Sequence, residues 1–259
     1  MRERLAGEVA IVTGSTSGLG REIARLFGAE GARVVVTGRD AQRGAATVAS
    51  VEEAGGQAVF VAADLGHEDA CRALVDATIE HFGELTVLVN NAVAGAVDAS
   101  DGPVTEVSTE AVEHTLRVNV VAVVWLCRYA IPRMLDAGHG AIVNVSSRVA
   151  ERATPRLAAY TTSKGALNAL TRSINVDYAR LGIRCNTVQP GYIVHERRDA
   201  DIDEQRRSRL EDMHLTRLST ATDVAYAALF LASRESATIS GITLPVDGGS
   251  HDVRARVIG

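Results

Sequence analysis

The chain has 259 residues, of which 46% are hydrophobic and 23% are charged. This is the composition of a folded globular protein, and a chain of this length can form one domain. The formal net charge of -5 predicts no nucleic-acid partner and no anionic membrane surface as partner.

The apolar and cysteine patterns exclude two further classes of protein. The longest unbroken apolar run, Val120–Cys127, is far shorter than the roughly 20 residues of a membrane span. The three cysteines (Cys71, Cys127 and Cys185) lie far apart along the chain. They are predicted to be buried free thiols in a reducing, cytoplasmic compartment, and neither a disulfide framework nor a metal site is expected.

Short β-branched segments alternate with longer helical patterns along the chain. Strands are predicted at Val9–Thr13, Arg33–Thr37, Gln57–Ala62, Thr86–Asn90, Gly140–Val145, Ile183–Val188 and Ile242–Val246. Helices are predicted at Leu19–Glu30, Ala41–Ala54, Glu68–His81, Thr109–Leu135, Ala158–Leu181 and Thr222–Ser233. Because most strands are apolar almost throughout, the pattern predicts an α/β fold in which a doubly wound, Rossmann-type parallel sheet of seven strands has helices on both faces. We expect one domain over residues 1–259.

Two segments interrupt this alternation. Val93–Ser108 is irregular, and Gly191–Leu218 is long, charged and poor in β-branched residues. Loops of such length in compact domains are often functional. The second segment is therefore predicted to be a substrate lid, a solvated surface helix, or both.

A glycine-rich turn follows the first strand. The sequence Gly14-Ser15-Thr16-Ser17-Gly18-Leu19-Gly20 joins this strand to an amphipathic helix. Glycines permit the sharp turn, the close approach of backbone to phosphate and the tight packing of helix on strand that a dinucleotide site needs. The helix N-terminus would hold the pyrophosphate, and we predict dinucleotide binding by these seven residues.

The ends of the second and third strands bear on the choice of cofactor. The second strand ends at Gly38-Arg39-Asp40, so the position where an acid would hold the ribose of NAD is glycine. Arg39 favours the 2′-phosphate of NADP, with NAD as the alternative, and Asp40 is expected to cap the following helix. Asp64-Leu65 follows the third strand, and Asp64 either caps a helix or binds the adenine.

Tyr160 and Lys164 form the strongest chemical signal. They are separated by one helical turn, so the phenol and the ammonium share a helix face. An adjacent ammonium lowers the pKa of a phenol, which can then exchange protons near neutrality. Lys164 is the only lysine among 27 basic residues, which suggests a site that requires a compact ammonium rather than the planar guanidinium of arginine.

Two other polar side chains are candidates for the same site. Ser146-Ser147 closes the fifth strand, at the edge of the sheet where ligands bind in such folds. Asn119 interrupts a very apolar helix and either is a satisfied core amide or helps to order a water.

With these motifs the sequence resembles the short-chain dehydrogenase/reductase family from Val9 to Gly249. The resemblance rests on the glycine turn, Asp64, Asn90-Asn91-Ala92, Asn119, Ser147, Tyr160 to Lys164, Pro190-Gly191 and Asp247-Gly248-Gly249. It implies that Tyr160 is the general acid/base, that Lys164 lowers its pKa and binds the nicotinamide ribose, that Ser147 positions the substrate oxygen, and that Asn119 holds a relay water. It further implies cofactor contacts from Tyr160, Lys164, Asn91, Ala92, Pro190, Gly191 and Ile193.

The resemblance also implies a homotetramer in which the helices at 109–135 and 158–181 pack against another subunit. Two positions depart from the family pattern: Val93 stands where the family usually has glycine, and His195 where it often has threonine. These departures leave the shape of the cofactor wall and of the substrate site open.

The resulting hypothesis is an NADP(H)-dependent oxidoreductase that transfers a hydride between nicotinamide and a secondary alcohol or ketone. An NAD-dependent enzyme and a non-catalytic dinucleotide-binding regulator are the alternatives, and a methyltransferase is disfavoured by Arg39 and by the Tyr160/Lys164 pair. The substrate site is expected to be lined by 93–101, 148–156 and 192–218. The arginines Arg148, Arg152, Arg156, Arg197 and Arg198 either face an anionic substrate group or are solvated.

Overall fold

The computed structural model describes residues 3–94, 100–194 and 202–252. The strands are β1 (Val9–Val12), β2 (Arg33–Gly38), β3 (Gln57–Ala62), β4 (Val87–Asn90), β5 (Gly140–Val145), β6 (Ile183–Pro190) and β7 (Thr243–Val246). The α-helices are α1 (Gly18–Ala29), α2 (Ala41–Glu53), α3 (Glu68–Phe82), α4 (Thr109–Leu116), α5 (Ala122–Asp136), α6 (Ala158–Tyr178), α7 (Glu204–Asp212) and α8 (Ala221–Ala232).

All seven strands form one parallel sheet in the order β3-β2-β1-β4-β5-β6-β7. The predicted doubly wound fold is therefore confirmed. The strand order reverses direction between β1 and β4. In open sheets of this kind, ligands bind beside such a reversal, at the carboxyl ends of the strands.

Two apolar clusters cover the two faces of the sheet because successive strand side chains point to opposite sides. On one face, Val12 packs with Phe27 of α1 and Leu229 of α8. On the other face, Ile11 packs with Leu74 of α3 and Leu126 of α5. This burial on both sides explains why the strands are apolar almost throughout.

The cysteines and the long apolar segment both belong to this core. Cys71, Cys127 and Cys185 are buried and free, as predicted. Burial raises the pKa of Cys71 and of Cys127 to about 12. Thr109–Asp136 is the one described stretch that is long and apolar enough to cross a membrane by length and composition. Several of its side chains, among them Leu126, Ala130 and Met134, belong to the second cluster. The stretch is therefore packed against the core of the protein.

The structure corrects one predicted helix and adds another. The segment predicted as one helix from Thr109 is α4 and α5 joined by a π-helical turn, Arg117–Val121. The helix α7 was not predicted as a defined element. It has no buried residue, so it lacks the apolar periodicity on which sequence-based prediction depends. It is the solvated surface helix that was one interpretation of the segment from Gly191.

Candidate active site

A cavity of about 260 Å³ opens at the carboxyl ends of β4, β5 and β6. It is lined by residues of the glycine turn, of α6 and of the segments that follow β4, β5 and β6, among them Leu19, Asn91, Ser147, Tyr160, Lys164 and Ile193. Arg39, Asp64 and Asn119 are not among its lining residues. The sheet topology thus brings together side chains that are far apart in the sequence. The cavity borders the β1–β4 reversal, which is the expected position for a dinucleotide.

The glycine turn has the compact geometry predicted for it. Gly14 has a φ of 63°, and a Cβ added there would lie 2.9 Å from Cα of Ala92. A Cβ on Gly20 would lie 2.4 Å from the carbonyl oxygen of Gly14. Larger residues at these positions would push the turn away from the sheet. The helix α1 starts at Gly18, and no side chain caps it, which leaves its N-terminus open to an anion.

Ser15 has a different environment from the rest of the turn. Its hydroxyl donates to the carbonyl of Val12 at 2.6 Å and accepts from the backbone amide of Thr37 at 2.9 Å. Its own amide donates to the carbonyl of Thr37 at 3.1 Å. Both donors are committed to the fold, so Ser15 fixes the turn against β2, and its contact with the cofactor stays a prediction.

Thr13 is a site residue that the motif analysis did not single out. Its Oγ1 accepts from the amides of Asn91 at 2.9 Å and Ala92 at 3.0 Å. In return, the Asn91 side chain donates to the carbonyl of Thr13 at 2.9 Å. These bonds join the segment after β4 to the glycine turn. Only the position of Thr13 directly before Gly14 could have indicated this role.

The end of β2 carries the side chains of Arg39 and Asp40. Arg39 is exposed. Asp40 accepts from the backbone amide of Arg43 at 3.0 Å and from its guanidinium at 2.8 Å. The predicted capping role of Asp40 is therefore confirmed. A Cβ on Gly38 would lie 2.7 Å from the Thr16 side chain, so the turn approaches β2 closely at this point.

Asp64 follows β3 in an exposed position. Its carboxylate accepts from the amide of Gly66 at 3.1 Å, and α3 is preceded by His67 rather than by Asp64. The helix-cap interpretation of Asp64 is therefore wrong. Leu65 beside it is buried in the second cluster, so only its backbone is free to contact a ligand.

Tyr160 lies on the first turn of α6 and is half-buried. Burial raises the pKa of its phenol, and a hydrogen bond with the Ser147 hydroxyl opposes that rise. Ser146, in contrast, donates to the backbone carbonyl of Lys164 at 3.2 Å. Tyr160 and Ser147 line the same cavity, whereas the Ser146 hydroxyl is used within the fold.

Lys164 is buried beside the ring of Tyr160. Its Nζ donates to the carbonyl of Val145 at 2.7 Å and lies 5.6 Å from the centre of the Tyr160 ring. Burial lowers the pKa of Lys164 to about 8. The predicted lowering of the phenol pKa by Lys164 is not found, because burial dominates at Tyr160 and the ammonium is directed at the Val145 carbonyl.

Asn119 is held in the π-helical turn and is fully buried. Its Oδ1 accepts from the amide of Ala94 at 2.8 Å, and its Nδ2 donates to the carbonyl of Ala94 and to Ser163 Oγ, both at 3.0 Å. The amide is thus a satisfied core group that ties the segment after β4 to α6.

The cavity is closed on the far side by the segment after β6. Pro190 ends that strand, and the amide of Gly191 donates to the carbonyl of Val246 at 3.1 Å. A Cβ on Gly191 would lie 2.7 Å from Cβ of Asp247. Ile193 pairs with Ser219 in an isolated bridge. The positions of His195, Arg197 and Arg198 lie outside the described residues.

A larger cavity, about 420 Å³, lies at the amino ends of the strands, beside the first residues of β4, β5 and β6. Its lining includes Arg184, whose guanidinium donates to the carbonyls of Leu231, Ala232 and Ser233. That arginine closes the C-terminus of α8. The cavity is remote from Tyr160 and takes no part in the site.

Comparison with known proteins agrees with the geometry. A family model described as enoyl-(acyl carrier protein) reductase matches residues 14–251. Glucose 1-dehydrogenase 2 of Bacillus subtilis is 36% identical over 252 residues, which cover 96% of this chain and 96% of that protein.

Two solved structures extend the comparison. A gluconate 5-dehydrogenase from Burkholderia cenocepacia, in complex with NADP and tartrate, superposes with a TM-score of 0.89 at 31% identity over 97% of this chain and 98% of that one. A 7α-hydroxysteroid dehydrogenase in complex with NADH and a 7-oxo bile acid gives a TM-score of 0.89 at 32% identity over 96% of each chain. The chain belongs to the short-chain dehydrogenase/reductase family and is an oxidoreductase that acts on CH–OH groups.

Proposed function

We propose that the chain is an NADP(H)-dependent oxidoreductase that interconverts a secondary alcohol and its ketone. One observation carries the proposal: Tyr160, Ser147 and Lys164 line the same cavity as Leu19 of the glycine turn. A proton donor, a hydroxyl partner and a buried cation therefore stand beside the place where a dinucleotide fits.

The glycine turn fits a bound dinucleotide, since its backbone is held close to the sheet and the N-terminus of α1 is open. When bound, the nicotinamide supplies or accepts the hydride. Asn91, Ala92, Pro190, Gly191 and Ile193 would surround it. The phosphates would be bordered by Thr16, Ser17, Gly18 and Leu19. The adenine would be bordered by Asp64 and Leu65.

The side chains of the site handle the proton. Tyr160 gives its phenolic proton to the substrate oxygen in reduction and takes it back in oxidation. The Ser147 hydroxyl lines the same cavity, and it would hold the same substrate oxygen. Lys164 would bind the nicotinamide ribose. Asn119 would keep the segment after β4 and α6 at a fixed separation, with its backbone holding the relay water.

Two observations favour NADP over NAD. Arg39 is exposed at the tip of β2, where the adenosine ribose would lie. The adjacent carboxylate of Asp40, which could otherwise hold ribose hydroxyls, is occupied by the amide and guanidinium of Arg43. Among the described residues, the end of β2 therefore offers the exposed cation of Arg39, while its own carboxylate, Asp40, is already engaged.

The proposal is tested with the purified protein, NADPH and NADH, and a panel of small ketones. We expect NADPH oxidation that depends on the ketone, and the reverse reaction with NADP⁺ and the matching alcohol. Tight cofactor binding with no turnover of any panel member would contradict it and would instead indicate a dinucleotide-binding regulator.

Arg39→Ala is expected to raise KM for NADPH by about 10-fold or more, because a charge-assisted bond to phosphate contributes roughly 1.5–3 kcal/mol. KM for NADH should change less than about twofold. Steady-state kinetics with both cofactors measures this. Arg72→Ala is the matched control, since this exposed guanidinium on α3 pairs with Asp69. Equal wild-type rates with both cofactors, or equal losses with both in the variant, would contradict the role of Arg39.

We further propose a cytoplasmic homotetramer, with residues 191–218 as the substrate lid of a single domain. Val176 of α6 is 79% exposed and Leu135 of α5 is 37% exposed, and apolar side chains on these two helices suit a subunit contact. Val176→Glu is expected to shift the mass measured by light scattering from four chains towards fewer. A wild-type mass of one chain would contradict the assembly.

A further inference from the structure

The helix that carries Tyr160 and Lys164 begins without a cap of its own. The residue before α6 is Leu157, whose side chain has no hydrogen-bonding group. The first amides of a helix have no partner within it, so those of Ala158, Ala159 and Tyr160 need acceptors from elsewhere. Tyr160 is itself the third residue of this first turn. The partners of these three amides therefore hold the backbone of the proposed proton donor.

Two consecutive residues of the distant loop after β4 supply all three acceptors. Asp101 accepts from the amide of Ala159 through Oδ1 at 3.1 Å and from the amide of Tyr160 through Oδ2 at 2.9 Å. The carbonyl of Gly102 accepts from the amide of Ala158 at 3.2 Å. Oδ1 of Asp101 also accepts from the amide of Gly102 at 2.8 Å, which fixes the carboxylate in its own loop.

The backbone just before α6 has an unusual conformation. Arg156 has a φ of 65° and is the one non-glycine residue with positive φ in the described part of the chain. Such a conformation is costly for a residue with a side chain and persists where the surroundings enforce it. The guanidinium of Arg156 pairs with Glu106 of the same distant loop at 3.2 Å. The entry to α6 and the loop are thus joined at a second point.

The carboxylate is suited to this position for an electrostatic reason as well. The N-terminus of a helix carries a partial positive charge, which an adjacent carboxylate stabilises. A bidentate contact to two successive amides also restricts how the first turn can tilt, because charge-assisted bonds of this kind are directional. A small tilt of this turn would displace the phenol from Ser147.

We propose that Asp101 is a positioning residue for the reaction: its carboxylate clamps the first turn of α6 and so holds the phenol of Tyr160 at Ser147. This inference rests on the proposed function, in which that phenol is the proton donor. Misplacement of a reacting group by about 1 Å can lower the rate by about 100-fold. The clamp therefore contributes to turnover rather than to stability alone.

The test compares Asp101→Ala and Asp101→Asn with Ser108→Ala. Ser108 is the matched control because it caps the neighbouring helix α4 from the same loop, by accepting from the amide of Ala111 at 3.1 Å. For Asp101→Ala we expect kcat to fall at least 10-fold while KM for the cofactor changes less than threefold. Asp101→Asn should lie between, since it keeps one acceptor oxygen. Ser108→Ala should lower thermal stability to a similar extent and keep kcat within twofold.

A second measurement follows the clamp without turnover. Hydrogen exchange of a peptide spanning residues 157–165 should speed up at least 10-fold in Asp101→Ala and stay unchanged in Ser108→Ala. Faster exchange with unchanged kcat would reduce Asp101 to an ordinary helix cap and overturn the proposal. Unchanged exchange would overturn the clamp itself. If the wild type reduces no ketone, the proposed function fails and the positioning role fails with it, while the exchange result still decides whether the clamp exists.

Discussion

Replacing Tyr160 by Phe is expected to lower kcat for ketone reduction by about 10²- to 10⁴-fold, the usual contribution of a positioned general acid. The variant keeps the aromatic ring and loses only the hydroxyl, which belongs to the cavity that Ser147 also lines. The glycine turn is untouched, so the dissociation constant of the cofactor should change less than about threefold. Initial rates at saturating cofactor and calorimetric titration of the cofactor measure the two quantities.

Tyr129→Phe provides the control for this substitution. The Tyr129 hydroxyl donates to Glu68 at 2.9 Å, away from the cavity, so its removal tests the loss of a tyrosine hydroxyl in general. Its kcat should stay within about twofold of the wild type. Retention of turnover in Tyr160→Phe would remove the phenol from the reaction and with it the proposed mechanism.

Replacing Lys164 by Met is expected to abolish turnover and, in the protein without cofactor, to raise the free energy of unfolding at pH 7. Burial lowers the pKa of Lys164 from 10.5 to about 8, which corresponds to roughly 3 kcal/mol of destabilisation while the group is charged. The lost hydrogen bond to Val145 offsets about 1 kcal/mol of that. A net gain of about 1–2 kcal/mol should appear in denaturant titrations.

The pH dependence tests the cause of this gain. Between pH 8 and roughly 10.5 the unfolded wild type binds more protons at Lys164 than the folded protein does, so wild-type stability rises with pH in that interval. The Met variant has no such group, and its advantage should therefore shrink above pH 8. Lys164→Arg is the control, because it keeps a buried cation and should gain nothing. A destabilised Met variant at pH 7 would contradict the inferred cost of burying the ammonium.

The architecture could be predicted from the sequence because the signals that determine it are local. Apolar runs such as Val34 to Val36 indicate strands covered on both faces, and the glycine spacing marks the turn into α1. Lys164 drew attention as the sole lysine, and the structure places it in the cavity. The short polar helix α7 has no such pattern.

The contacts that hold the site together are not local. Asp101 meets Ala159 and Tyr160 across 58 and 59 residues, and neither partner differs in type from many others in the chain. Ser15 was assigned to the cofactor by its place in the turn, yet its hydroxyl is used within the fold. The pKa of Tyr160 was predicted from one neighbour, whereas it depends on the surrounding burial. Such quantities follow from tertiary packing, which spacing alone does not encode.

The π-helical turn at Arg117–Val121 has a consequence for how this protein tolerates changes of length. A π turn holds one residue more than regular helix geometry requires, and each residue of an α-helix advances the side-chain direction by about 100°. Deleting one residue here would leave a continuous, regular α-helix. It would also rotate either Asn119 or the apolar face of α5 away from its present position. Substitution of single residues would not reveal this dependence. What matters is the number of residues between α4 and α5, not their identity.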